Sequence, residues 1–151
     1  MTFHVLTKSS LLWRELAAFA AGCGWVGGEE LGEKMRNGEW LDWERVFFAL
    51  QDGKPAGFCA LTDQDGYPQL PYSPYISELF VAPAFRGNRI GKDLLTAAEQ
   101  YASEAGFAQV FLMTDLIGFY EKYGYTAFDS APSPLDAAVT EVFYRKTVSG
   151  K

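Results

Sequence analysis

The chain has 151 residues, 48% of them hydrophobic and 16% aromatic, with a formal net charge of −6. That length suits one domain spanning residues 1–151 with a core that needs neither metals nor disulfides, and the composition excludes disorder except at the tail Ser149–Lys151. The acidic balance excludes non-specific nucleic-acid binding, which requires broad cationic surface, and suits a cationic partner such as an amine.

In chain order, Phe3–Leu6 reads as a first strand carrying the only histidine, His4, in a structural place. Ser9 or Ser10 is positioned to cap a helix running to about Ala21, with Leu12, Leu16, Phe19 and Ala20 inward. Arg14 and Glu15 interrupt its apolar stretch, so it reads as an amphipathic helix and not as a signal peptide. No run approaches the roughly 18 apolar residues of a membrane span. Cys23 and Cys59 are too isolated for a disulfide framework or a zinc site; a cytoplasmic protein without metal is expected.

Gly22, Gly24, Gly27 and Gly28 are read as breaks, followed by a polar helix over Glu29–Asn37. Arg45–Gln51 and Ala56–Thr62 form a predicted hairpin through Asp52-Gly53-Lys54. A proline- and tyrosine-rich loop, Asp63–Pro74, precedes Tyr75–Ala82, an apolar run read as a central strand covered on both faces. Ile90–Ala105 is predicted helical, with Ile90, Leu94, Leu95, Ala98, Tyr101 and Ala102 on one side. Phe107–Met113 is a strand, Leu116–Tyr123 a short helix, and Tyr125–Phe128 and Val139–Lys146 two antiparallel strands. This is an α/β domain with a mixed sheet.

The informative stretch is Ile76–Leu95, where an apolar strand ends at Pro83 and an Arg-Gly-Asn-Arg turn leads into a helix. Backbone N–H groups, a helix dipole and cations there converge on an anion, most simply a phosphate. Gly87–Asp93 is not a P-loop: one residue is missing between the glycines, and Asp93 stands where a hydroxyl must hold magnesium. The glycine spacing also fails the dinucleotide fingerprint.

Arg86-Gly87-Asn88-Arg89-Ile90-Gly91 resembles the pyrophosphate signature [QR]-x-x-G-x-[GA] of the GNAT superfamily of N-acetyltransferases. Leu79-Phe80-Val81-Ala82-Pro83 is similar to the end of that family's fourth strand, and Gly118–Tyr125 to its late Y-E-K-x-G-[FY] element. The resemblance extends along the whole order of elements. It implies a mixed, mostly antiparallel sheet of about seven strands, splayed between strands 4 and 5 and flanked by about four helices. It also implies an acetyl-CoA-dependent N-acetyltransferase acting on a primary amine of a small molecule by direct attack in a ternary complex; the family's habit leaves room for a homodimer. A catalytically inactive acyl-CoA-binding module and a protein or peptide N-acetyltransferase are the competing readings.

By the same resemblance, the pantetheine arm runs along the backbone of Leu79, Phe80 and Val81, with an oxyanion donor near Val81. The pyrophosphate rests on Arg86, Gly87, Asn88, Arg89, Ile90, Gly91 and Lys92. Arg89 departs from the usual glycine: it either adds a phosphate contact or crowds the loop. Lys92 is a phosphate contact or a solvated helix residue. Tyr120 matches the family's general acid at the CoA sulfur, against a packed aromatic as the plain alternative.

Glu78 is the candidate general base, because an acid inside an apolar strand is costly to ionise; a salt bridge is the competing role. By resemblance to the family, the acceptor side is expected on Trp25–Trp43 and Tyr67–Tyr75. There Trp25, Trp40, Trp43, Tyr67, Tyr72 and Tyr75 accompany Glu29, Glu30, Glu39 and Asp42. Aromatics beside acids either cradle a cationic amine or serve as staples and solvated charges.

Overall fold

The computed structural model describes residues 1–149; of the tail read as disordered, Gly150 and Lys151 lie outside the described residues. The elements are β1 (Thr2–Leu6), α1 (Trp13–Ala21), α2 (Val26–Asn37), β2 (Arg45–Gln51), β3 (Lys54–Thr62), β4 (Tyr75–Val81), α3 (Ile90–Glu104), β5 (Gln109–Thr114), β6 (Thr126–Pro132) and β7 (Thr140–Thr147). The seven strands make one sheet in the order β1-β2-β3-β4-β5-β7-β6. Every pairing is antiparallel except β4 with β5. The α1–α2 pair covers one face, burying Leu16, Ala20, Leu31 and Met35 against Phe48 and Phe58. On the other face α3 buries Ile90, Leu94, Leu95 and Ala98 against Phe47, Leu61 and Val110. The inward set read for α3 is therefore borne out, with Tyr101 half-buried and its hydroxyl donating to the Trp43 carbonyl at 2.9 Å.

The β2–β3 turn follows its sequence: Asp52 (φ 52°) and Gly53 (φ 78°) both take positive φ, as a two-residue type I′ hairpin requires. Three local expectations are corrected. The first helix begins at Trp13 and has no side-chain cap; the Ser10 hydroxyl instead accepts the Thr7 N–H at 2.9 Å, closing a turn before the helix. The second helix begins at Val26, so Gly27 and Gly28 are helical and not breaks. Their missing side chains let α2 approach: a Cβ on Gly28 would stand 2.8 Å from the Ala20 carbonyl oxygen, and one on Gly32 2.8 Å from that of Ala17. The expected fourth helix over Leu116–Tyr123 is one 3-10 turn, Glu121–Tyr123, preceded by Gly118 at φ 86° and followed by Gly124 at φ 93°. These two left-handed glycines, six positions apart, leave room for no more than that turn.

The fourth correction positions the site. β4 is fully buried only over Tyr75–Ser77; Glu78–Val81 is half-buried. Its pairing with β5 is confined to Tyr75 opposite Phe111, where the Phe111 N–H donates to the Pro74 carbonyl at 2.9 Å. Beyond that point the two strands separate, and an apolar run is no longer covered.

Candidate active site

The splay leaves one edge of β4 open. On the other edge Ala82 N–H donates to Ala56 O at 2.8 Å, so strand alternation turns the backbone groups of Leu79 and Val81 toward the opening. Val81 O accepts the Arg86 Nε–H at 2.9 Å, which folds that side chain back over the strand end.

The register between β3 and β4 shifts from Phe58↔Phe80 to Ala60↔Ser77, so Glu78 and Leu79 together face Cys59. This bulge, with Glu78 at φ 56°, changes which residues face which layer. Ile76, Leu79 and Val81 lie with the α3-side cluster, whereas Phe80 lies with the α1–α2 cluster. The extra residue, Glu78, is turned to α2, where its Oε1 would be 2.6 Å from a Cβ on Gly27.

On the α3 side, a cleft of about 670 Å³ is lined by Leu79, Val81, the loop from Arg86 to Lys92 apart from Asn88, and Phe119, Tyr120 and Tyr123 across from them. The loop enters α3 through Arg89 in the left-handed region (φ 63°, ψ 19°), with no side-chain cap. The Asp93 N–H is the first to find a helical partner, Arg89 O at 3.0 Å, so the N–H groups of Ile90, Gly91 and Lys92 remain available to a ligand. The glycine preference at position 89 is thus a backbone preference, and Arg89 meets it while its exposed side chain lines the cleft. Asn88 donates to Phe85 O at 3.2 Å and is a loop staple; the Phe80 ring turns away from this cleft and stacks on Trp25 at 5.9 Å.

Tyr120 precedes the 3-10 turn and is 9% exposed, packed edge-on against Phe119 and Tyr125. Its hydroxyl makes no hydrogen bond among the described residues, and burial, with smaller contributions from Cys59 and Tyr123, pushes its pKa up to about 12. It stays a neutral O–H donor at physiological pH.

On the opposite face a second cleft, of about 440 Å³, lies between the α1–α2 connection and β4. Cys23, Trp25 and Phe80 line it, and it shares Leu79, Val81 and Arg86 with the first. Two clefts on opposite faces therefore converge on the open half of one strand. Burial drives the Glu78 carboxyl up to about 9; Asp65 and Glu30 add repulsion, and Glu30 a hydrogen bond that favours the protonated form. Glu78 and Tyr120 face opposite sides of β4.

The residues expected on the acceptor side divide. Trp25 walls the second cleft, and Glu30 reaches Glu78. Tyr67 donates to Glu141 Oε1 at 2.5 Å, and Tyr72 stacks on Phe111 at 5.4 Å. Trp40 and Trp43 are staples: Trp40 Nε1 donates to Lys34 O at 2.9 Å, and Trp43 packs edge-on against Phe107 at 4.8 Å. Exposed Glu29 lines a separate surface depression on α2. His4 sits on the edge strand, 3.1 Å from Thr2 Oγ1, away from both clefts. Sequence reasoning missed Asp65 and Glu141. Asp65 sits in an irregular loop without periodicity, and Glu141 comes into range only because β7 lies next to β5 in the sheet.

A basic, uncapped helix start thus lies under a splayed strand pair, with a neutral buried tyrosine across the cleft. The chain belongs to the acetyltransferase (GNAT) family, whose model matches residues 11–125. Its fold is shared with the aminoglycoside 6'-N-acetyltransferase of Enterococcus faecium (18% identity, 100% of this chain and 99% of that one, TM-score 0.74). An aminoglycoside 6'-N-acetyltransferase solved with coenzyme A gives the same figures: 18%, 100% and 99%, 0.74. A GNAT-family acetyltransferase of Staphylococcus aureus aligns over 97% of this chain and 99% of its own (17% identity, TM-score 0.65). At these identities the likeness is one of fold. No curated protein sequence matches the chain significantly. Among the described residues no helix is long and apolar enough to cross a membrane, and no cluster of three or more metal-ligating side chains is found.

Proposed function

We propose that the protein transfers an acetyl group from acetyl-CoA to a primary amine of a small molecule, by direct attack within a ternary complex. The observation that carries this reading is the convergence of the two clefts on Leu79 and Val81. A donor bound on the α3 side and an acceptor bound on the α2 side meet at one strand edge, without a covalent enzyme intermediate.

Acetyl-CoA fits the first cleft and, when bound, supplies an activated acyl carbon. Arg86, Arg89 and Lys92 add cationic charge, and the free N–H groups of Ile90, Gly91 and Lys92 add oriented donors for the pyrophosphate. Gly87 turns the loop at φ 88°, a conformation that L side chains rarely adopt, and Asn88 pins the loop through Phe85. The backbone of Leu79, Phe80 and Val81 receives the pantetheine arm on its open edge. Val81 N–H is placed to stabilise negative charge developing on the carbonyl oxygen, worth roughly 3–4 kcal/mol for a well-placed donor. Tyr120 gives its proton to the leaving thiolate. Glu78 takes a proton from the attacking amine, directly or through water.

Arg89 takes the conformation that glycine would and keeps its side chain exposed, which supports a working loop over a non-catalytic acyl-CoA-binding module. The test is thiol release from acetyl-CoA in the presence of a panel of small primary amines, with product mass measured. Steady release coupled to a mass gain of one acetyl group is expected; calorimetric silence toward acetyl-CoA, or no release with any amine, rejects the reading.

A further inference from the structure

Between the start of α1 and the end of α2 lies a groove of about 530 Å³ that the acetyl-transfer chemistry does not use. Three separate elements bring a cation to it: Lys8 from the β1–α1 turn, Arg14 from α1 and Arg36 from α2. The chain has 19 acidic residues against 13 basic ones, yet the lining of this groove holds these three cations and no acid. The acids of α2 lie elsewhere: Glu29, Glu30 and Glu33 line the neighbouring depression, where Glu33 Oε2 accepts a hydrogen bond from Asn37 Nδ2 at 2.8 Å. Among the described residues the two ion pairs are Lys34 with Glu44 and Lys146 with Glu99, so the three cations of the groove have no carboxylate partner. The arginines that donate to carbonyl oxygens, Arg45 and Arg86, belong to other parts of the fold.

Hydrogen bonds fix the lining in place. Thr7 N–H donates to Ser10 Oγ and Ser10 N–H to Thr7 O, both at 2.9 Å, which closes the turn that carries Lys8. Trp13 Nε1 donates to Met35 O at 2.7 Å, tying α1 to α2 along the groove. The carbonyl end of α2 would by itself repel an anion, but its acceptors are engaged. Lys34 O accepts Gly38 N–H at 2.8 Å and Trp40 Nε1–H at 2.9 Å, and Met35 O is taken by Trp13. Trp13, Ala17 and Met35 make the floor apolar, which strengthens charge interactions above it. Three like charges around one concavity repel one another, and an anion between them turns that repulsion into attraction.

We infer that this groove binds the phosphate group of a small soluble phosphate ester, held by the guanidiniums of Arg14 and Arg36 and the ammonium of Lys8. Guanidinium forks match phosphate oxygens in pairs, and three cations suit a group that carries close to two negative charges near neutral pH. The groove is of a size common for small-molecule sites, about 300–1,000 Å³. The site is independent of the acetyl-transfer reading, since the groove shares no lining residue with either cleft. It is nonetheless joined to them through the helices. The connection from α1 to α2 walls the second cleft, so a phosphate bridging Arg14 and Arg36 clamps the opposite end of the same helix pair.

The experiment is calorimetry on the full chain with phenyl phosphate, in the presence of saturating CoA so that the α3-side cleft is occupied, and with phenyl sulfate as the singly charged match. One-to-one binding is expected for the phosphate, about tenfold weaker for the sulfate, and weaker for both as salt is raised. Arg14→Gln and Arg36→Gln, both at exposed positions, should each lower the affinity for phenyl phosphate by about tenfold, the order of one charge-assisted contact. Arg89→Gly, in the other cleft, should leave it unchanged. No heat with phenyl phosphate overturns the proposal, as does equal affinity for the sulfate, binding that survives both groove substitutions, or binding lost in Arg89→Gly. Capture by vesicles containing phosphatidic acid, without binding of phenyl phosphate, also overturns it, because the phosphate recognised would then be a lipid headgroup at a membrane surface.

Discussion

Glu78 and Gly27 face each other across the seam between β4 and α2: the carboxylate Oε1 lies 2.6 Å from where a Cβ on Gly27 would stand, and the Trp25 ring lies 2.4 Å from it. A helical glycine is ordinarily a weakness, costing about 1 kcal/mol relative to alanine. Here it makes the space in which the bulge residue sits. Gly27→Ala therefore should have the opposite sign from the usual helix rule, lowering stability by about 1–3 kcal/mol through overpacking and reducing turnover by displacing Glu78. Thermal unfolding and steady-state thiol release check it together; a stabilised, fully active variant would show that the contact does not position the acid.

The Glu78 carboxyl also makes stability depend on pH in a defined direction. Its folded pKa, about 9, lies above the usual carboxylate value, so the folded state holds a proton that the unfolded state gives up. The stabilising contribution is full below the unfolded value near 4.5 and is lost as pH rises toward 9. Asp65, raised to about 7, acts in the same sense over a lower window. Glu78→Gln should flatten the fall in Tm between pH 5 and 9 and raise Tm at pH 8, by about 2–4 °C for each kcal/mol recovered. The same titration predicts a wild-type rate that climbs from pH 7 to about 9 as the base ionises, a limb the Gln variant lacks. A wild-type Tm independent of pH across this range would contradict both.

The parts of this molecule that are regular in sequence are regular in structure. α3 shows its inward set at helical spacing, the Asp52-Gly53 turn carries its own conformational signature, and the loop before α3 resembles a known signature closely enough to locate the cleft. What stays hidden in the sequence is long-range. Gly27 and Gly28 look like helix breakers until the close approach of Glu78 to the one and of α1 to the other is seen. The Leu116–Tyr123 stretch has helical spacing, yet Gly118 and Gly124 hold it to a single turn. The side of β4 to which Glu78 turns depends on one inserted residue opposite Cys59, which no local pattern marks.

Arg89 separates backbone fit from charge. Because it already occupies the left-handed conformation, Arg89→Gly should leave the loop in place and remove only the side chain. CoA affinity should then fall by about tenfold, the order of one charge-assisted contact, and the salt dependence of binding should weaken. Calorimetry with CoA at two ionic strengths reads both. Tighter binding by the glycine variant would mean that the arginine obstructs the phosphate.

Tyr120 offers the sharpest split between packing and chemistry. Its ring is fixed by Phe119, Tyr125 and Tyr144, contacts that phenylalanine would keep. Its hydroxyl is unpartnered and neutral, because burial holds the pKa at about 12. Tyr120→Phe should therefore leave Tm nearly unchanged while kcat drops by about 10²-fold or more, the scale of a lost general acid, and CoA affinity should move little. An acetyl donor with a more acidic leaving thiol should recover part of the loss, since its thiolate departs without needing the proton. That rescue distinguishes an acid from a spacer: a variant impaired equally with both donors would mean that Tyr120 shapes the cleft and gives no proton.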